Sequence, residues 1–379
     1  MRIIISLVFF LAGCLIVYAF TKAGKATKGP IETVFNELAV VVQTTETKLI
    51  LKSKENTREK KLAWLKRNIK DLKNPKIFLT GSSDDNSPGA FDKIQKLEDS
   101  LNTVFPLIHI FSAWGSKDSQ KFPLKEVYSI INLGSIPVIT WEPWVTDFDA
   151  KQFPGIPAPE IRSKNSMFSI SQKTYDSYII EWAKEAKKVS KPLFLRFAEE
   201  LNDPYRYPWG PQNNTAKDYV DAWKHVHEIF KNVGATNVIW IWNPHPSYDY
   251  FEEYYPGDDY VDYVGAGVFN YGNAVSWSSW NSFKEIMSKN YETMKKFNKP
   301  IMITEFASLS YGGNRSLWYK EAFETMKKEY PEIKGLIFFH YKNDYTVSDK
   351  KINWYFIDDK KSLTAVKNGL KLMNVPMTN

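Results

Sequence analysis

Two glutamates stand side by side in "RFAEELNDPYRYPWG" (196–210), and a third follows an apolar run in "ITEFAS" (303–308). Burying a carboxylate without a partner is costly, so a structural need alone rarely puts one directly after "IMIT". Two carboxyl groups that face each other can break a glycosidic bond. One acid protonates the leaving oxygen, while the other attacks the sugar or directs a water. Glu200 and Glu305 are the candidates for that pair. Tyr205, Tyr207 and Trp209 follow the first glutamates and are candidate platforms for the faces of sugar rings. Further polar groups end other apolar runs, in Trp141-Glu142-Pro143-Trp144 and in Trp242-Asn243-Pro244-His245.

These groups need a scaffold that gathers run ends at one face. Eight short apolar runs recur, at 76–81, 106–115, 136–144, 192–202, 237–245, 262–272, 300–308 and 335–344. Amphipathic stretches separate them. Tyr175, Tyr178, Ile179, Trp182, Ala186 and Val189 fall at helical spacing, as do Tyr219, Ala222, Trp223, Val226, Ile229, Phe230 and Val233. The second stretch opens on Thr215-x-x-Asp218, close to a capping box. Near-continuous apolar strands suit a parallel sheet covered by helices, and eight strand–helix units predict a single (β/α)8 barrel. A doubly wound open sheet is the alternative, but no glycine-rich phosphate loop follows the first strand. In a barrel, the candidate groups would share the C-terminal rim of the strands, where catalysis occurs.

The 379 residues are 43% hydrophobic and 15% aromatic, which excludes a disordered chain. A net charge of +7 comes from lysines scattered over helical segments, a solvated surface rather than a nucleic-acid site. The sole cysteine, Cys14, permits no internal disulfide. Neither a zinc spacing nor a paired-histidine motif is present; His225 and His227, two apart on one helix, face different sides. His109 belongs inside the barrel.

After Met1-Arg2 come 18 apolar or small residues, "IIISLVFFLAGCLIVYAF". "LAGC" resembles a lipobox ending at Cys14, Val17-x-Ala19 suits a signal peptidase, and an uncleaved run of this length could span a bilayer. Each reading predicts an exported protein, secreted or held at the cell envelope. The expected organisation is an export or anchor segment over 1–20, a connector with a charged helix over 21–74, and the barrel over 75–379.

"RFAEELNDPYRYPWG" resembles the acid/base segment of glycoside hydrolase family 26, whose pattern is near R-x-x-H-E-M-N-x-x-x-Y-P-W. "ITEFAS" resembles that family's nucleophile strand, and "YYPGDDYVDYVG" (254–265) its approach to strand 6. The matches run in order from about Lys76 to Asp358. The resemblance implies a retaining, cofactor-free endo-hydrolase of β-linked polysaccharide, typically β-mannan, with mixed-linkage β-glucan and β-1,3-xylan also represented. It implies Glu200 as acid/base and Glu305 as nucleophile, with Asn202 two residues after the acid. Two positions depart from the family. Its histidine before the acid is Glu199 here, and its strand 6 tyrosine falls at Phe269, followed by Asn270 and Tyr271.

The expected substrate-binding set is therefore Glu199, Asn202, Arg196, Trp209, Tyr205, Trp141, Glu142, Trp242, His245, Asn270 and Tyr271, with no metal. Glu199 pairs with Arg196 or another cation, or touches substrate, and Glu142 is a salt-bridge partner or part of the site wall. Tyr271 is expected to turn its hydroxyl into the cleft near Glu305. The partner is a polysaccharide, bound by a monomer that meets the membrane only through its N-terminal segment. Two rivals are a catalytically silent carbohydrate-binding barrel and a hydrolase or lyase acting on the cell's own exopolysaccharide.

Overall fold

The computed structural model describes residues 58–84, 91–346 and 351–378. Eight parallel strands close into a barrel in sequence order: β1 Leu79–Asp84, β2 Leu107–Ala113, β3 Ile136–Glu142, β4 Leu193–Phe197, β5 Val238–Trp242, β6 Tyr263–Asn270, β7 Ile301–Ser308 and β8 Ile333–His340. Strand β8 pairs back onto β1 over six residues, from Leu79↔Gly335 to Asp84↔His340. All eight apolar runs thus became strands, and the (β/α)8 expectation holds.

Helices Asp176–Val189 (α1) and Ala216–Val233 (α2) bury the faces that their periodicity set out, apart from the half-buried Val233, and Phe283–Lys295 (α3) buries Phe283, Met287, Tyr291 and Met294. The Thr215–Asp218 capping box forms with both reciprocal hydrogen bonds. Gly234 ends α2 at φ 82°, a left-handed turn that glycine adopts without steric cost.

The barrel interior is layered. Leu79, Leu107, Ile136, Val138, Phe194, Ile239, Ile241, Met302 and Ile337 fill its lower part. Leu65 and Leu72 join this cluster, and buried Arg58 pairs with Glu98 while its Nε donates to the Leu133 carbonyl. Residues 58–74 of the expected connector therefore pack against the barrel. The expected export segment over 1–20 lies outside the described residues. Among the described residues, no helix is long and apolar enough to cross a membrane.

Above the apolar layers the interior turns polar. His109, Thr140, Arg196, Asn243 and Thr304 are all buried and linked by hydrogen bonds. The C-terminal rim of the strands rests on this layer.

Candidate active site

Strand β7 does not run regularly. Against β6 the register passes from Ala266↔Ile303 to Gly267↔Glu305, and against β8 from Ile303↔Leu336 to Phe306↔Phe338. Thr304 and Glu305 thus form a bulge. Neighbours on a regular strand point to opposite faces, but a bulge re-aims them. Here Thr304 Oγ1 and Glu305 Oε2 both accept from Arg196 Nη1, each at 3.0 Å.

Strand β4 also ends irregularly. Ala198 (φ 44°) and Glu200 (φ 52°) both adopt left-handed backbone, a strain that side chains other than glycine tolerate where surrounding structure holds them. The Glu200 amide donates to the Asn243 carbonyl at 2.7 Å, fixing this turn against the end of β5. The Glu200 carboxylate lines the cleft and accepts from Arg206 Nη1 at 2.9 Å.

Gly267 lies between the two carboxylates. A Cβ built there would stand 3.4 Å from Glu200 Oε1 and 3.7 Å from Glu305 Oε2. The two oxygens therefore face one gap and lie within about 7 Å of each other, which admits the ~5–5.5 Å carboxyl separation used by retaining glycosidases.

Electrostatics sets these groups apart. Burial raises the Glu305 carboxyl above its ordinary range, while the Arg196 guanidinium opposes that shift. Burial also works against the charge of Arg196, but Glu305, Glu199 and Glu200 outweigh it and hold the guanidinium firmly protonated. His109, buried below, is pushed well down by burial and then by Arg196.

A cleft of about 960 Å³ opens beside Glu200. Tyr205 and Trp277 are its prominent aromatics, 79% and 62% exposed. His245, Phe269 and Tyr271 line it as well. Trp277 stands against Tyr271, whose ring packs in turn on Phe269 and Trp354. The exposed indole thus rests on a supported aromatic stack.

Several expected contacts are corrected. Trp209 is fully buried; its Nε1 donates to the Glu199 carbonyl at 2.7 Å and its ring stacks on Tyr207. It is a packing residue that fixes the turn at Glu199 and Glu200, not a platform. Trp141 and Trp242 are likewise fully buried, Trp141 against Trp114 and Trp182, Trp242 against Tyr255 and Phe297. Arg196 is out of reach of substrate and pairs with Glu305 instead of Glu199. Asn202 spends its amide on the carbonyls of His245, Tyr248 and Asp249 and accepts from the His245 amide, so it shapes a loop. Asn270 bonds Ser308, Gly272 and Asn281. Tyr271 reaches the cleft, but Arg196 is the residue that bonds Glu305.

Sequence reasoning missed Arg206 and Trp277. Arg206 sat inside the quoted motif, six residues past the acid, yet nothing in its spacing said which carboxylate it would meet. Trp277 belongs to a loop without a motif. Glu200, Asp203 and His245 also bring donor atoms within 4.8 Å of one another, from segments too far apart for a spacing rule to find. Arg206 already occupies a Glu200 oxygen, and its positive charge disfavours a cation there. His225 pairs with Asp176 and His227 packs on Trp240 and Tyr260, so neither enters the site.

A family model described as glycosyl hydrolase family 26 matches residues 141–361, more than half of the sequence. The chain belongs to glycosyl hydrolase family 26. Within the family 26 chain, 293 residues are 30% identical to Endoglucanase H of Acetivibrio thermocellus, covering 75% of this chain and 29% of that protein. A mannan endo-1,4-beta-mannosidase of Bacillus subtilis is 24% identical over 183 residues, 46% of each chain. Beta-1,3-xylanase TXYA of a Vibrio species is 24% identical over 198 residues, 45% of this chain and 40% of that one. The match thus spans under half the length of each relative. Among solved structures, Bacillus subtilis mannanase man26 superposes with a TM-score of 0.55 at 17% identity, over 78% of this chain and 86% of that one. A β-mannanase from Bacteroides ovatus gives 0.56 at 16%, over 81% and 92%. At such identity these structures share the family 26 barrel and no more.

Proposed function

We propose that this family 26 chain is a retaining endo-β-glycanase in which Glu200 is the acid/base and Glu305 the nucleophile. The observation that carries the reading is the gap over Gly267, which both carboxylates face from opposite sides of the barrel mouth. In the first step the Glu200 proton passes to the glycosidic oxygen, that C–O bond breaks, and a Glu305 oxygen bonds the anomeric carbon. In the second, Glu200 takes a proton from water, the hydroxide attacks the same carbon, and Glu305 leaves as a carboxylate. Attack needs the charged form of Glu305, which Arg196 favours. A cleft that continues past Glu200 toward Tyr205 and Trp277 supports internal cutting of a polymer.

For the substrate, a β-glucan backbone is the leading reading, because the relative named an endoglucanase matches three quarters of the chain. A mannan backbone, expected from the sequence motifs, is the second, supported by the mannosidase match. An anionic exopolysaccharide gains little support. The cleft cations are already neutralised, Arg206 by Glu200 and Lys289 by Asp249. The apolar run at 3–20 supports a site of action outside the cytoplasm.

The test is release of reducing ends from mixed-linkage glucan, cellulose, mannan and β-1,3-xylan, with the first-formed anomer read by NMR. Retained configuration on a glucan is expected. Glu200→Ala should spare activated aryl glycosides relative to polysaccharide, since a good leaving group needs little protonation, whereas Glu305→Ala should abolish both. Binding without cleavage of any polymer would make this a silent carbohydrate-binding barrel.

A further inference from the structure

The barrel mouth holds more carboxyl groups than cations. Arg196 pairs with Glu305 and Arg206 with Glu200. Glu142 at the end of β3 and Glu199 after β4 are left over. Glu199 is 1% exposed, and neither of its oxygens meets a hydrogen-bond donor among the described residues. The other carboxyl, Glu142, stands at the neighbouring strand end: β3 and β4 pair up to Trp141↔Phe197, and the Ala198 amide donates to the Trp141 carbonyl at 3.2 Å. Glu142 is partly exposed, and its Oε2 accepts from Trp144 Nε1 at 3.3 Å.

Two facing carboxylates repel, and burial strengthens the repulsion. Two carboxyls with one proton between them attract, because one donates and the other accepts. We propose that Glu142 and Glu199 hold a single proton between them and form a second carboxyl pair beside the reacting one. Glu199 is its buried positioning member, and Glu142 meets a hydroxyl of the glycan. This rests on Glu200 and Glu305 being the reacting pair, since Glu199 adjoins the first.

The surroundings favour the shared proton. Around Glu199 stand Glu142 on β3, Arg196 on β4, Glu305 on β7, the adjacent Glu200, Tyr207 in the loop after β4 and Tyr219 on α2. Arg196 is the cation among them, and it already serves Glu305. Burial and then Glu142 push the Glu199 carboxyl well above the ordinary range, with Arg196 opposing, and burial raises Glu142 too. The Tyr219 hydroxyl has no partner among the described residues. A substrate hydroxyl meeting Glu142 would then find either a donor or an acceptor, as the proton shifts between the two carboxyls. Such a pair selects for the position of a hydroxyl, which is the property that separates one sugar epimer from another.

Infrared difference spectroscopy of the unliganded protein at neutral pH tests the pair directly. The difference between wild type and the Glu142→Gln/Glu199→Gln double variant should contain the carbonyl band of one protonated carboxylic acid, shifted in heavy water, while the band of the Glu200 proton is common to both and cancels. A difference spectrum without that band overturns the proposal. This readout needs no turnover, so a chain that cuts no glycan would fail the proposed function while the pair is still decided. Where glycan is cut, Glu199→Gln should lower kcat/KM by less than about tenfold and Glu199→Ala by about a hundredfold, because the amide can replace the shared proton. Glu199→Gln should also move the alkaline limb of the pH profile upward, as the amide cannot lose that proton. Gln as damaging as Ala, with the limb unmoved, would overturn the proposal. Should the Ala variant not fold, the infrared comparison and the Gln profile still decide it.

Discussion

Arg196 and Glu305 meet inside the barrel, guanidinium Nη1 3.0 Å from carboxylate Oε2, although their strands β4 and β7 share no ladder. The contact spans the mouth and is sealed from water, with 1% and 9% of the two side chains exposed. It exists because the bulge at Thr304 and Glu305 turns both residues inward toward one guanidinium.

Removing one member of a buried pair leaves the other charged and unpaired, at about 3–5 kcal/mol. Arg196→Met should therefore lower unfolding stability by about that amount, read from urea denaturation near neutral pH, and should cut kcat by orders of magnitude. A stability loss under about 1 kcal/mol would show that the pair contributes little to the fold.

Stability should fall as pH rises above the ordinary glutamate value of 4.5, in the part of the curve owed to Glu199. Its carboxyl is raised in the folded protein, so the native state keeps a proton that the unfolded chain releases between 4.5 and the raised value. The unfolded state then binds fewer protons than the native one, and the slope of stability with pH is negative. Glu199→Gln has no such proton. Its urea midpoint should gain on wild type as pH climbs through that window. Parallel curves from acid to neutral pH would contradict the sign.

Two tryptophans should behave in opposite ways. Trp209 is fully buried and bonded to the Glu199 carbonyl, so Trp209→Ala should cost about 3–5 kcal/mol of stability. Trp277 is 62% exposed over the cleft, so Trp277→Ala should leave the melting temperature nearly unchanged. It should raise KM for polysaccharide about three- to tenfold, the size of one lost aromatic contact. A melting loss at Trp277 with unchanged KM would make it a packing residue.

Gly267 separates fold from chemistry. An alanine Cβ there makes only ordinary contacts, the nearest at 3.4 Å, so Gly267→Ala should fold within about 1 kcal/mol of wild type. The methyl would occupy the gap between Glu200 and Glu305, where the proposed mechanism puts the reacting sugar carbon. A displacement of about 1 Å can cost ~100-fold, and kcat/KM should fall at least that far. A variant with nearly full activity would move the reacting centre away from this gap.

The sequence by itself determined the scaffold and the two candidate strand ends. Eight apolar runs separated by helical stretches have few ways to bury their apolar faces, and a closed parallel barrel is one that also puts every run's end on one rim. Glu200 and Glu305 were legible because a carboxylate after an apolar run needs a reason. What each rim residue touches was decided only by the tertiary structure. The two-residue period of a strand would have sent Thr304 and Glu305 to opposite faces, and the bulge that overrides it depends on pairing with β6 and β8. Trp209 and Tyr205 lie in one short aromatic segment, yet one is buried and the other 79% exposed, because a loop has no fixed period to assign its faces. Arg196 served Glu305 rather than the nearby Glu199 because charges pair through space, and the barrel brings residue 305 closer to that guanidinium than the neighbour three positions along the chain.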